Sequence, residues 1–127
     1  MPERESREMY LETIYILSQK NSRLRAVNIV EYMGFSKPSV SRAIGILRRD
    51  GYVEVDENGC ISLTKEGASA AARIYERHTV LSEMLINLGV DRETAVGDAC
   101  RMEHYISDVS FNAIKAHMAR YKKQEAD

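Results

Sequence analysis

FSKPSVSRAIGILRRDGYVEV, residues 35–55, is the stretch that decides the fold. Ser36 can cap a helix with its hydroxyl, and Pro38 suits the first turn, where no backbone N–H is needed. Val40, Ala43, Ile44 and Leu47 then recur at helical spacing and make one inward stripe. Ser39, Arg42 and Arg49 fall on the opposite side. The helix is predicted to run to about Asp50 and to stop before Gly51. Between Ser36 and Arg49 stand Lys37, Arg42, Arg48 and Arg49 and no acid, a small positive patch in a chain whose formal net charge is −1.

On the N-terminal side, AVNIVEYM predicts a short helix over about 26–33, ended by Gly34. Before it, residues 4–20 carry Tyr10, Leu11, Ile14, Tyr15 and Leu17 as a wide apolar helical face. On the C-terminal side, alternating runs over roughly 52–56 and 60–63 flank Asn58-Gly59, a strong short-range hairpin signal. Helix, short helix, turn, basic helix and hairpin, in that order, make a winged helix-turn-helix. The second helix of such a pair enters the major groove and offers its N-terminal residues to base edges. Here those are Ser36, Lys37, Pro38, Ser39, Ser41 and Arg42. Small hydroxyls permit close approach, and Arg42 can donate to guanine or to phosphate. Arg48 and Arg49, near the helix end, are left to the backbone or to neighbouring acids. The acidic wing tip, DENG, is a poor phosphate contact. A plain helical domain with a solvated polar face is the competing interpretation. It does not explain why the basic helix, the glycine stops and the hairpin all fall where the module needs them.

Beyond the wing the chain reads as helical. Thr64 caps a helix expected to reach Leu88, and Asp91 caps another expected to continue to about Ser107. A sixth, over about 109–121, places Phe111, Ile114, Met118 and Tyr121 on one seam, and the tail KKQEAD is expected to fray. The fold class is therefore mainly α: a winged helix-turn-helix domain over 1–64, followed by an all-helical domain over 65–127. With 127 residues, 44% of them apolar, the chain can bury a core. No apolar run approaches a membrane span, and the charged N-terminus lacks a signal core, so a cytoplasmic protein without a membrane partner is expected. Two cysteines, Cys60 and Cys100, are too few for a disulfide framework; Cys60, in the second wing strand, reads as a small buried residue.

CRMEH, residues 100–104, sets a thiol, a carboxylate and an imidazole at helical spacing, so Cys100, Glu103 and His104 can converge on one face. Met9 and Glu12 repeat a three-residue spacing in the first helix, and His78 stands on the long fourth one. Such donors suit a borderline transition metal rather than magnesium or calcium, which take oxygen ligands. The same residues also occur on ordinary solvated helix faces, and spacing alone leaves both alternatives open.

MYLETIYILS, FSKPSVSRAIGILRRDGYVEV, LTKEGASAA, ERHTVLSEML and DACRMEHYISD closely resemble the diphtheria toxin repressor family of metal-dependent regulators, which includes the manganese transport regulators. The resemblance runs from about residue 5 to 121. It implies a homodimer paired through the helices beyond the wing, and a metal-activated repressor of metal-uptake genes. It maps metal ligands onto Met9, Glu12, His78, Cys100, Glu103 and His104, and DNA contacts onto Ser36, Pro38, Ser39, Ser41 and Arg42. The length implies the short two-domain form, without the SH3-like third domain of the iron branch. Met9 and Cys100, however, look like the iron branch's primary site, where the manganese branch has carboxylates. The iron branch's ancillary site is incomplete, with Ser82 and Val96 where further ligands are expected.

Thioether and thiol ligands shift preference away from manganese(II). Iron(II) is the expected metal, with manganese(II) next and cobalt, nickel or zinc as substitutes in vitro; binding would drive deprotonation of the thiol. A homodimer reading two half-sites implies a pseudo-palindromic double-stranded operator. The competing functions are a metal-independent winged-helix regulator sensing an organic ligand and a metalloenzyme. The enzyme is disfavoured because the chain shows no glycine-rich substrate loop and no obvious oxyanion donors.

Overall fold

The computed structural model describes the backbone of residues 3–126 and the side chains of residues 6–122. Its elements are α1 (Glu3–Ser18), α2 (Ala26–Met33), α3 (Lys37–Arg49), β1 (Val53–Val55), β2 (Ile61–Leu63), α4 (Lys65–Asn87), α5 (Arg92–Met102) and α6 (Asp108–Ala126). Two compact units divide the chain between Arg73 and Ile74, inside α4. No helix among the described residues is long and apolar enough to cross a membrane.

In the first unit, the α3 stripe behaves as its spacing demands. Val40, Ile44 and Leu47 are buried with Tyr10, Leu11 and Ile14 of α1, Ile29 of α2, and Val53 and Ile61 of the hairpin. Each such side chain contributes about 1.5–3 kcal/mol on leaving water. Burial also pushes the Tyr10 phenol up, so it stays neutral. Ser36 caps α3 through its hydroxyl, which accepts the Ser39 N–H at 3.3 Å. Gly34 ends α2 in the left-handed region at φ 72° and donates to Val30 O.

The hairpin forms with a three-residue loop, the span that the expected runs leave between them. The antiparallel register pairs Val53 with Leu63 and Val55 with Ile61. Asp56 sets the turn: its Oδ1 accepts the N–H groups of Asn58 and Cys60, each at 2.9 Å. Gly59, at φ 81°, donates to the Asp56 carbonyl, so glycine takes the left-handed position of a three-residue loop. Cys60 is half-buried rather than buried.

The start of α4 packs tightly on the wing. Thr64 Oγ1 donates to Gly51 O at 2.6 Å and accepts the Gly67 N–H at 3.1 Å. A Cβ on Gly67 would stand 1.9 Å from the Tyr52 carbonyl oxygen, so no side chain fits there.

The second unit holds the rest of α4 with α5 and α6 around Ile74, Leu81, Ala95, Ala99, Phe111 and Met118. Asp91 caps α5 by accepting the Thr94 N–H at 3.0 Å. The helix expected to run to about Ser107 ends at Met102, with no glycine or proline to stop it. Residues 103–105 form a turn, and the N–H groups of Tyr105 and Ile106 both reach Met102 O. Ser107 then caps α6, its Oγ accepting the Ser110 N–H at 3.1 Å. Along the expected seam Phe111 and Met118 are buried, whereas Tyr121 is exposed. The backbone of α6 continues as helix to Ala126 through the tail expected to fray, whose side chains beyond residue 122 lie outside the described set.

Candidate functional site

Two regions carry chemistry. The first is the N-terminal end of α3, where Ser36, Lys37, Pro38, Ser39, Ser41 and Arg42 are all exposed. They stand out because Val40, Ile44 and Leu47 pin the opposite side of the helix in the core. The Ser36 hydroxyl donates to Ser39 Oγ at 2.8 Å while capping the helix, so these two side chains are held at the helix start. A helix N-terminus lined with small hydroxyls suits a phosphate-lined groove. At the other end of α3, Arg49 pairs with Asp50 at 3.4 Å, and Asp50 also lies 3.6 Å from Arg7. The wing tip, residues 56–59, is exposed.

The second region lies in the turn after α5. Glu103 is 1% exposed and His104 is 6% exposed, so a carboxylate and an imidazole sit almost wholly out of water. His78, from α4, brings Nδ1 to 3.0 Å from Glu103 Oε2. His104 Nε2 lies 3.4 Å from Glu103 Oε1. Glu103 Oε1 accepts no hydrogen bond among the described residues. A buried carboxylate needs a positive partner, which neutral imidazoles do not supply. An imidazolium or a metal ion does, and imidazole nitrogens beside a carboxylate oxygen fit a borderline divalent cation.

Of the four expected ligands in this unit, His78 and His104 each approach the Glu103 carboxylate, on different oxygens. Cys100, three residues before Glu103, is exposed. Neither its Sγ nor a ring nitrogen of His104 joins the ligand atoms that gather within 4.8 Å of one another around His78 and Glu103. Glu103 caps the C-terminus of α5 with helical backbone angles, its N–H donating to Ala99 O, so the three-residue spacing from Cys100 to Glu103 is still helical. Met9 and Glu12 lie one turn apart on α1, both half-buried. At the positions of the incomplete second site, the Ser82 hydroxyl donates back to His78 O at 2.7 Å, and Val96 is 37% exposed.

Sequence patterns missed Arg77. Its Nη1 donates to the carbonyls of Glu103, at 3.3 Å, and Ile106, at 2.7 Å. Its Nη2 pairs with Asp108, and its guanidinium carbon lies over the Phe111 ring, 5.3 Å from the centroid. Nothing in a linear pattern signals an arginine whose partners are carbonyls 26 and 29 residues away.

A winged helix-turn-helix with an exposed hydroxyl-rich recognition helix, joined to helices that bury a carboxylate among imidazoles, defines a DNA-binding regulator of the metal-responsive class. Residues 4–60 match the model of the iron dependent repressor N-terminal DNA binding domain. Residues 64–126 match that of the iron dependent repressor metal binding and dimerisation domain. The chain belongs to the iron-dependent repressor family, whose members are metal-dependent transcriptional repressors. Over 120 residues it is 31% identical to an uncharacterised HTH-type transcriptional regulator of Methanocaldococcus jannaschii, covering 93% of this chain and 96% of the relative. It is 34% identical over 102 residues to the diphtheria toxin repressor of Corynebacterium glutamicum, covering 80% of this chain and 45% of that one. The solved structure of the manganese regulator SloR is similar with a TM-score of 0.79 at 29% identity, covering 89% of this chain and 53% of that chain. The chain thus spans about half the length of those last two proteins.

Proposed function

We propose that this protein represses metal-uptake genes, and that a divalent metal turns on its binding to a pseudo-palindromic operator as a cytoplasmic homodimer. Iron(II) is the activating metal, with manganese(II) next. The ligands are Met9, Glu12, His78, Cys100, Glu103 and His104; the DNA contacts are Ser36, Lys37, Pro38, Ser39, Ser41 and Arg42. The protein acts by binding and not as an enzyme.

The single observation that carries this reading is Glu103. Its carboxylate is buried at 1% exposure between His78 and His104, with one oxygen that accepts no hydrogen bond among the described residues. When bound, a divalent ion supplies the positive charge that this arrangement calls for. As thiolate, Cys100 favours iron(II) over manganese(II). Exposed Leu88, Tyr105 and Val109, at 74%, 67% and 82%, support pairing of the helical half with a second copy. Two recognition helices in a dimer must match successive major grooves, ~34 Å apart. Metal activates to the extent that it binds the DNA-competent geometry more tightly and so raises its population.

The test is fluorescence anisotropy on DNA from the protein's own upstream region, anaerobically and at fixed salt, in chelator, iron(II) and manganese(II). Operator binding only with metal, strongest with iron(II), is the expected result. Equal binding in chelator overturns the metal switch, and stronger binding with manganese(II) reverses the order of metals.

A further inference from the structure

We infer that Arg77 is the positioning residue of the metal centre, the group that holds the Glu103–His104 turn in its ligand-presenting form. The inference rests on the reading that Glu103 and His104 bind metal. The turn begins where α5 ends, at a point with neither glycine nor proline. The last carbonyls of a helix need donors from elsewhere. Main-chain donors reach Ala99 O and Met102 O, and Arg77 serves two carbonyls beyond the helix: one guanidinium nitrogen donates to Glu103 O and to Ile106 O. The other nitrogen pairs with Asp108, the first residue of α6. The flat guanidinium is held over Phe111, which is itself 5% exposed.

One side chain therefore ties both ends of the 103–108 segment to α4. Arg77 directly precedes His78, which faces the Glu103 carboxylate at 3.0 Å. Neighbouring residues on one helix thus hold the main chain of Glu103 and meet its side chain. Arg77 is 13% exposed in its side chain, whereas Asp108 is 86% exposed. The clamp is anchored on the inside and only its outermost contact is wet. A fixed ligand geometry strengthens metal binding because less ordering is left to occur on binding. Lysine cannot take over, since a point ammonium lacks the planar fork that spans two carbonyls and a carboxylate while lying over a ring.

The experiment compares wild type, Arg77→Met, Arg77→Lys, Asp108→Ala and Glu103→Gln in the full chain. Each is titrated anaerobically with cobalt(II), a spectroscopic stand-in, and each apoprotein is followed by circular dichroism and amide hydrogen exchange. The expected result for Arg77→Met is wild-type helix content, faster exchange confined to residues 103–110, at least about 10-fold weaker cobalt affinity and an altered d–d spectrum. Arg77→Lys restores neither affinity nor spectrum. Asp108→Ala, which leaves the arginine and its carbonyl contacts in place, loses about threefold, and it carries the test if Arg77→Met does not fold. Wild-type affinity and spectrum in both Arg77→Met and Asp108→Ala, with binding lost in Glu103→Gln, overturn the inference and leave the metal reading intact. Wild-type protein that binds no cobalt overturns the metal reading, and the inference with it.

Discussion

The N-terminal end of α3 and the turn after α5 solve opposite problems. The residues facing outward from α3 are exposed without exception from Phe35 to Ser39 and again at Ser41 and Arg42. Glu103 and His104 are buried at 1% and 6%. A surface that meets a phosphate backbone has to remain wet and shares its binding energy over many modest contacts. A site for one small cation gains from a dry, pre-shaped cluster, where each group is worth more and its loss is felt almost completely. The first region should lose function by degrees and the second in one step.

Glu103→Ala is the sharpest way to break that contrast. It should abolish the metal response of operator binding, a loss of at least about 100-fold by anisotropy, or about 2.7 kcal/mol, and leave a folded dimer by light scattering. A graded loss instead would make the buried cluster behave like the surface.

Gly67→Ala tests the frame that presents α3. A Cβ 1.9 Å from the Tyr52 carbonyl forces the wing away from α4. It should cost about 3 kcal/mol in urea unfolding, the upper end for overpacking against a partner that cannot yield. An unchanged midpoint would mean that the wing is not held as tightly as the structure has it.

Arg42→Ala should weaken operator binding by about 10- to 100-fold if it reads a base. If it touches only phosphate, the loss is smaller, is equal on all sequences and lowers the salt slope by about one. Metal affinity should not change in either case. A change there would join the two regions in a way that their contrast does not allow.

The smallest effect expected is a pH dependence from Asp91. Backbone and side-chain hydrogen bonds from Thr94 hold its carboxyl below the usual value of 3.8. The sign follows from linkage: a carboxyl that is more acidic folded than unfolded adds stability above the unfolded value, and this stability is lost as pH falls through the folded one. Asp91→Asn should therefore differ from wild type in thermal unfolding at neutral pH and converge with it in acid. A difference that persists below the folded value would assign it to something other than charge.

Much of this was legible in the linear chain because it depends on neighbours. Ser36 as a cap, Gly34 and Gly51 as stops, and the Val40, Ile44, Leu47 stripe are local matters, decided within a turn or two of helix. Asn58-Gly59 and the runs on either side marked the hairpin, but not that Asp56 fixes its turn by taking two backbone N–H groups. The resemblance to a known family placed the candidate ligands by number. It did not show that Cys100 is exposed while Glu103 is buried.

By itself, then, the sequence determined the helices, their caps and the winged order, since propensity, capping and periodicity act over a few residues. Only the tertiary structure decided where α5 ends and which groups meet there. Arg77 reaches from α4 to carbonyls at Glu103 and Ile106, and the Glu103 carboxylate is shut in between two imidazoles. Those outcomes depend on segments about 25 to 30 residues apart packing together, and burial, unlike helicity, is not a property of any one of them.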